Sequence, residues 1–193
     1  MIHLITGGSA SGKSAYGEQM AVEAKGRLRY YLATMRPWGE EGRARVARHR
    51  QQRMGKGFFT MEVYRNLENV MLPGRTLETE PGVSGAELWE NTVVLLECMS
   101  NLVANELFEA GGTDEEIAGR IQRGVRHLQD CAGTVIVVTN EVFSDGCFYE
   151  AETMRYIRLL GRMNRELAAM ADRVTEVVYG IAISVKPAGD GSW

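Results

Sequence analysis

Ile2-His3-Leu4-Ile5-Thr6-Gly7-Gly8-Ser9-Ala10-Ser11-Gly12-Lys13-Ser14 opens the chain, and its reading decides the fold. A short apolar run with β character leads into Gly7 to Ser14, which has the pattern G-x-x-x-x-G-K-S. A helical pattern carrying Tyr16, Met20, Ala21 and Ala24 then runs until Gly26. Strand, glycine-rich turn and helix in that order are the context of the phosphate-binding P-loop. The chemistry needs these residue types. Small, flexible residues let successive backbone N–H groups curl around phosphate oxygens, and the positive end of the helix that opens at Lys13 points at them. Lys13 then reaches the β- and γ-phosphates as a catalytic cation, and the Ser14 hydroxyl holds Mg²⁺. Gly7, Gly8, Ser9, Ala10, Ser11 and Gly12 complete the cradle.

With 193 residues the chain is long enough for a full core, and its length predicts one domain over 1–193. Hydrophobic residues at 45% and charged residues at 24% match ordinary globular usage. The balance of 22 basic against 25 acidic residues, net −3, gives no broad field for nucleic acid or an anionic membrane, so any basic site is local. Cys98, Cys131 and Cys147 are an odd set without C-x-x-C spacing, which argues against a disulfide framework or a zinc site and for a reducing, cytoplasmic compartment. No apolar stretch approaches about 18 residues and no signal-peptide pattern opens the chain, so it is expected to be neither secreted nor membrane-spanning.

Strand-like runs occur at Ile2 to Thr6, Leu28 to Thr34, Phe58 to Val63, Thr92 to Cys98 and Thr134 to Thr139, and at Val174 to Val185 with a break near Gly180. Helical patterns lie between most of them. The clearest are Asp114 to Leu128, started by Thr113 and an acidic first turn, and Glu150 to Ala171. Buried strands alternating with helices predict an α/β fold of the P-loop NTPase type, a mostly parallel sheet covered on both faces. Ligands then sit at the carboxyl ends of the strands. Leu72 to Asn91, with Pro73, Gly74, Pro81, Gly82 and Gly85, reads as a long connection with at most one helical turn, and Pro187 to Trp193 as a frayed tail.

Three further constellations bear on chemistry. The run Val93-Val94-Leu95-Leu96 ends in Glu97, the position where P-loop enzymes place an acid near Mg²⁺. The string Arg43-Ala44-Arg45-Val46-Ala47-Arg48-His49-Arg50-Gln51-Gln52-Arg53 packs five arginines and a histidine into eleven residues, with Arg45, His49 and Arg53 on one helix face. Such a helix is a solvated surface, a polyanion patch or, beside a P-loop, a second set of guanidinium groups that neutralise phosphates bidentately. An imidazole there, with an ordinary pKa near 6.5, is largely neutral at pH 7 and able to attack an electrophile. Asn140 and Glu141 close another strand and either position substrate or cap a helix. His3, His127 and the methionines Met154, Met163 and Met170 read as structural.

Together these residues resemble the family of bifunctional adenosylcobinamide kinases / adenosylcobinamide-phosphate guanylyltransferases of cobalamin biosynthesis. The resemblance is carried by the P-loop, Tyr31-Leu32-Ala33-Thr34 fifteen residues before His49, Arg45 to Arg53, Leu95-Leu96-Glu97-Cys98, Val138-Thr139-Asn140-Glu141-Val142 and Gly161-Arg162-Met163-Asn164. It spans nearly the whole chain. It implies that a nucleoside triphosphate such as ATP phosphorylates adenosylcobinamide, and that GMP then passes from GTP, through a histidine matching His49, to adenosylcobinamide phosphate. The nucleotide contacts it implies are Gly7 to Ser14, Ala33, Thr34, Met35, Arg50, Gln51, Gln52, Arg53, Glu62 and Glu97. It also implies a homo-oligomer, a trimer, without nucleic-acid partners. The chain departs from the family pattern at Phe143 to Tyr149, where many relatives carry a Gly-rich segment ending Ile-Val-Pro, and at Met54, where proline is common. Other readings stay open from the residues: a guanylyltransferase lacking the kinase step, a plain small-molecule P-loop kinase in which His49 is incidental, and a nucleotide-gated protein whose basic helix docks a polyanion.

Overall fold

The computed structural model describes residues 1–24, 28–37, 39–73, 84–142, 147 and 149–187, with the backbone but not the side chains at positions 41, 45, 49 and 52. The strands are β1 (Ile2–Thr6), β2 (Leu28–Ala33), β3 (Phe58–Glu62), β4 (Thr92–Glu97), β5 (Thr134–Val138), β6 (Arg173–Val178) and β7 (Ile181–Lys186). They form one sheet in the order β3-β2-β4-β5-β1-β6-β7. All neighbours are parallel except β6 and β7, which turn back at Tyr179 and Gly180 as an antiparallel pair. The expected break near Gly180 is therefore a hairpin.

The helices are α1 (Lys13–Glu23), α2 (Gly39–Arg53), α3 (Gly85–Glu90), α4 (Met99–Asn105, continued by a π-helical turn Glu106–Ala110), α5 (Asp114–Cys131) and α6 (Ala151–Met170). Strand alternation sorts the core between the two faces of the sheet. Leu4, Leu32, Val94, Leu96 and Val137 bury against Met99, Leu102, Ile117, Ile121, Leu128, Leu160 and Met163 of α4, α5 and α6. Ile5, Tyr31, Leu95, Ile136 and Val138 bury against Tyr16, Met20 and Ala21 of α1. Met163 is core, as read from the sequence, and Met170 packs against it.

α5 starts where its capping signal places it: Thr113 Oγ1 accepts the Glu116 N–H at 3.2 Å and the Glu116 carboxylate accepts the Thr113 N–H at 2.8 Å. Two elements differ from expectation. α3 is longer than the single turn read between Leu72 and Asn91, because Ser84 caps it by accepting the Glu87 N–H at 3.1 Å. The expectation for 74–83, like that for the tail beyond 187, lies outside the described residues. α4 was not singled out in the sequence. Its π-helical turn carries Glu106, buried and satisfied by the Asn66 N–H at 2.8 Å and Arg120 at 3.0 Å. That partnership joins residues far apart in the chain.

Candidate active site

The P-loop follows β1 and is wedged against its neighbours. A Cβ on Gly7 would lie 2.5 Å from the Val177 carbonyl oxygen, a distance only glycine allows. The Gly7 carbonyl accepts the Glu141 N–H at 3.1 Å, and that of Ser11 accepts the Gly180 N–H at 2.8 Å, so the loop is tied to the ends of β5 and of the β6–β7 hairpin. Gly12, in the left-handed region at φ 95°, turns the chain into α1, and Ala10 is also left-handed at φ 57°. Lys13 is buried and its Nζ donates to the Gly8 carbonyl at 2.9 Å, curled back over the loop it serves.

Register brings the acid to this loop. Ala33, Glu97 and Val138 are Cα partners across β2, β4 and β5, so the carboxyl ends of the three strands are level. Glu97 Oε1 accepts the Ser14 hydroxyl at 2.7 Å, whereas Oε2 is buried and has no partner among the described residues. Burial pushes the Glu97 carboxyl up to about 7, against the opposing pulls of the Ser14 hydrogen bond and the Lys13 charge. An orphaned carboxylate oxygen beside a P-loop serine suits a divalent cation whose other ligands come from phosphate and water. Among the described residues no group of three or more His, Cys, Asp or Glu could hold a metal alone.

Facing the P-loop across a cleft of about 290 Å³ stand Val46, Arg50 and Arg53 of α2, with Tyr31, Ala33, Met35, Thr60 and Glu62 from β2, β3 and the segment after β2. Ser9, Lys13, Ser14, Glu97, Cys98, Asn101 and Asn140 line the opposite wall and floor. Arg50 pairs with Glu62, which also accepts the Tyr64 hydroxyl at 2.7 Å. Lys56, just past α2, pairs at 2.5 Å with Glu18 of α1, a carboxylate only 6% exposed. Thus two arginines of the string read from the sequence, Arg50 and Arg53, line the same cleft as the P-loop residues Ser9, Lys13 and Ser14.

The remaining sequence-predicted residues are placed less directly. Gly7, Gly8, Ala10, Ser11 and Gly12 form the loop itself. Thr34 is fully buried, and its hydroxyl is spent on Cys98: it donates to the Cys98 carbonyl at 2.8 Å and accepts the Cys98 N–H at 2.7 Å, clamping β2 to β4. Gln51 does not line the cleft but an adjoining groove with Arg43, Ala47 and Met54, which shares Val46, Arg50 and Glu62 with it. The side chains of His49, Arg45 and Gln52 lie outside the described residues; the helical backbone sets position 49 about 40° around the α2 axis from position 53, on the flank of the cleft-facing strip. The side-chain amide of Asn140 donates to Ser100 Oγ at 2.5 Å, and its backbone carbonyl accepts from the Asn164 side chain at 3.1 Å. His3 and His127 are structural, bonded to Thr175 Oγ1 and to the Val70 carbonyl. Sequence reasoning missed Tyr31, Thr60, Asn101 and the Glu18–Lys56 pair. Tyr31 enters the sequence reading only inside the Tyr31-Leu32-Ala33-Thr34 motif that carries the resemblance, with no role of its own.

A P-loop after β1, an acid at the end of β4 and a mostly parallel, two-faced sheet define a P-loop nucleotide-binding α/β protein. More narrowly, the chain belongs to the family described as cobinamide kinase / cobinamide phosphate guanyltransferase, whose model matches residues 3–185. It is similar to the bifunctional adenosylcobalamin biosynthesis protein CobU of Escherichia coli, 33% identical over 198 residues covering 96% of this chain and 100% of that protein. It is also similar to the bifunctional adenosylcobalamin biosynthesis protein CobP of Pseudomonas aeruginosa, 26% identical over 186 residues, 96% of this chain and 98% of the relative. Among solved structures, the flagellar accessory protein FlaH of Methanocaldococcus jannaschii overlays at TM-score 0.46 and 13% identity, covering 96% of this chain and 77% of its own. No helix among the described residues is long and apolar enough to cross a membrane.

Proposed function

We propose that this chain, as a single functional unit over 1–193, carries both activities named for its family. In the first, a nucleoside triphosphate, ATP or GTP, phosphorylates the hydroxyl of adenosylcobinamide. In the second, GTP gives GMP to the resulting adenosylcobinamide phosphate. The observation that supports this reading best is that one cleft is walled on one side by Lys13, Ser14 and Glu97 and on the other by Arg50 and Arg53, the helix strip that position 49 flanks.

The steps follow from these groups. For kinase chemistry the P-loop N–H groups and Lys13 grip the β- and γ-phosphates while the acceptor hydroxyl attacks the γ-phosphorus; the bond from that phosphorus to the β,γ-bridging oxygen breaks, the nucleoside diphosphate leaves and the hydroxyl proton passes to solvent. For guanylyl transfer a neutral imidazole nitrogen of His49 forms a bond to the α-phosphorus as the bond to pyrophosphate breaks. Arginine guanidinium groups take up charge on the leaving group, and cationic neighbours also keep the imidazole unprotonated. An oxygen of adenosylcobinamide phosphate then attacks the same phosphorus, and the N–P electron pair returns to the imidazole. Ser14 and Glu97 would hold Mg²⁺, which when bound supplies charge neutralisation to the phosphates. The protein is taken to act in the cytoplasm as a homotrimer, and the exposed side chains of Ile181, Ile183 and Val185 on edge strand β7 are an apolar strip that such an assembly would cover.

GTP labelled at the α-phosphate tests the central claim. Wild type is expected to take up an acid-labile, base-stable label, which His49→Ala loses while still phosphorylating adenosylcobinamide. Equal labelling of the two proteins, or none in wild type, sinks the guanylyl-histidine reading. Phosphorylation without any adduct would leave a plain kinase.

A further inference from the structure

Arg53 closes α2 with its guanidinium carbon 3.5 Å from the centroid of the Tyr31 ring. The contact is dry: Arg53 is 6% exposed and Tyr31 3%. Yet Nε and Nη1 of Arg53 are buried without a hydrogen-bond partner among the described residues, in a side chain that lines the cleft together with Lys13 and Ser14. Buried donors left unmade are costly, so a guanidinium kept in this condition implies a ligand that completes it. Stacking on a ring uses the face of the guanidinium and leaves its edge free, and that edge matches a phosphate bidentately. Burial, then the charge of Glu97, pushes the Tyr31 phenol upward, so the hydroxyl stays neutral and the contact is one of cation with ring.

We infer that Tyr31 is a positioning residue, whose ring fixes the plane of Arg53 so that the unspent donors close on a phosphate of the nucleotide held by the P-loop. The inference rests on the nucleotide site proposed above. It separates two arginines of the string by role. Arg50 is half-exposed and already paired with Glu62, whereas Arg53 is desolvated, oriented and unspent.

The test is calorimetric titration of GTP and of inorganic tripolyphosphate into wild type, Tyr31→Leu, Tyr31→Phe, Arg53→Ala and the double variant Arg53→Ala/Tyr31→Leu. Arg53→Ala is expected to weaken both ligands by at least roughly tenfold, and Tyr31→Leu by roughly tenfold. Phe, which keeps the ring, recovers most of what Leu loses. The double variant binds no more weakly than Arg53→Ala, because the platform acts only through the guanidinium. Additive losses in the double variant, or wild-type affinity in a folded Tyr31→Leu, overturn the inference. Removing a buried ring endangers the fold, so Arg53→Lys supplies an arm with the ring in place. Lysine restores the charge without the planar fork, and affinity should stay at least roughly fivefold below wild type; full recovery would show that charge alone suffices. Should wild type bind GTP but take no label at position 49, the guanylyl-transfer reading fails while these binding arms still decide the role of Tyr31.

Discussion

On one wall of the cleft the P-loop is locked by covalent shape: Gly7 has no room for a methyl group, its carbonyl and that of Ser11 are tied to neighbouring strands, and α1 behind it belongs to the apolar core. On the other wall, α2 puts no described side chain into either apolar cluster and is attached through charge, by Arg50 to Glu62, by Arg53 on Tyr31 and by Lys56, just beyond its end, to Glu18. Apolar packing is indifferent to a bound anion, whereas ion pairs compete with one directly. A triphosphate entering the cleft therefore meets a fixed cradle and an opposing helix whose ion pairs it can exchange for itself, while the stack of Arg53 on Tyr31 stays in place. That arrangement suits two successive transfers, since the phosphate grip must stay constant while the group presented to it changes.

The largest expected effect breaks the fixed wall. Gly7→Ala drives a Cβ into the Val177 carbonyl, and thermal unfolding should show a loss of more than about 3 kcal/mol together with loss of nucleotide binding. Gly8→Ala, where a Cβ meets nothing within 4 Å, should unfold within about 1 kcal/mol of wild type. Equal losses at the two glycines would show that flexibility, and not close approach, governs this wall.

Next is Glu97, where the walls share the floor. Its carboxyl lies near 7 in the folded protein against 4.5 for the ordinary group, so between these values the folded state holds a proton that the unfolded state has released. Stability from this group is full below pH 4.5 and falls as pH rises toward 7, by an amount on the order of 3 kcal/mol. His3 acts oppositely: burial lowers it to about 4, and its contribution is lost as pH falls below 6.5. Glu97→Gln should flatten the falling limb in denaturation series across pH 5 to 8 and leave the His3 limb. The same proton should be expelled when nucleotide binds with Mg²⁺ near pH 6.5, read as buffer-dependent binding enthalpy.

The charged wall should respond more gently. Lys56→Ala leaves the nearly buried Glu18 carboxylate without its partner and is expected to cost about 1–2 kcal/mol, diminishing as salt is raised. A larger loss, insensitive to salt, would mean that α2 is held by packing after all. Smallest is Arg50→Ala: the pair with Glu62 is exposed on both sides, so unfolding should shift by less than about 0.5 kcal/mol even if nucleotide affinity falls.

The contrast between the walls also explains what the chain disclosed in one dimension. Strand positions and the P-loop are set by local pattern, and the observed strands end within one residue of the sequence reading because alternation and glycine placement are short-range signals. The place of Glu97 beside the P-loop serine was readable because it ends an apolar run at the carboxyl end of a strand. Thr34 is a nucleotide contact by resemblance alone, and the bonds of its hydroxyl to Cys98, across a gap of 64 residues, could not be read from the sequence. The contacts of Tyr31 with Arg53 and of Glu18 with Lys56 are invisible in the sequence for the same reason. Each is an ordinary residue within its own element and becomes distinctive only against a partner from another. α4 gives no helical signal in the sequence because Met99 to Asn105 is only seven residues and mixes Met99, Leu102, Val103 and Ala104 with Ser100, Asn101 and Asn105, too short a window for the helical period to show.

The level ladder Ala33, Glu97 and Val138 carries a consequence for how such a chain can vary in length. Side chains alternate along a strand, so adding or deleting one residue inside β4 would turn Glu97 to the opposite face and strand Ser14 without its acceptor. A residue gained or lost between Val63 and Ser84, beyond the carboxyl end of β3, leaves the ladder in step. Insertions should therefore accumulate in that connection and be purged from six consecutive positions, Thr92 to Glu97, which act as the ruler of the site.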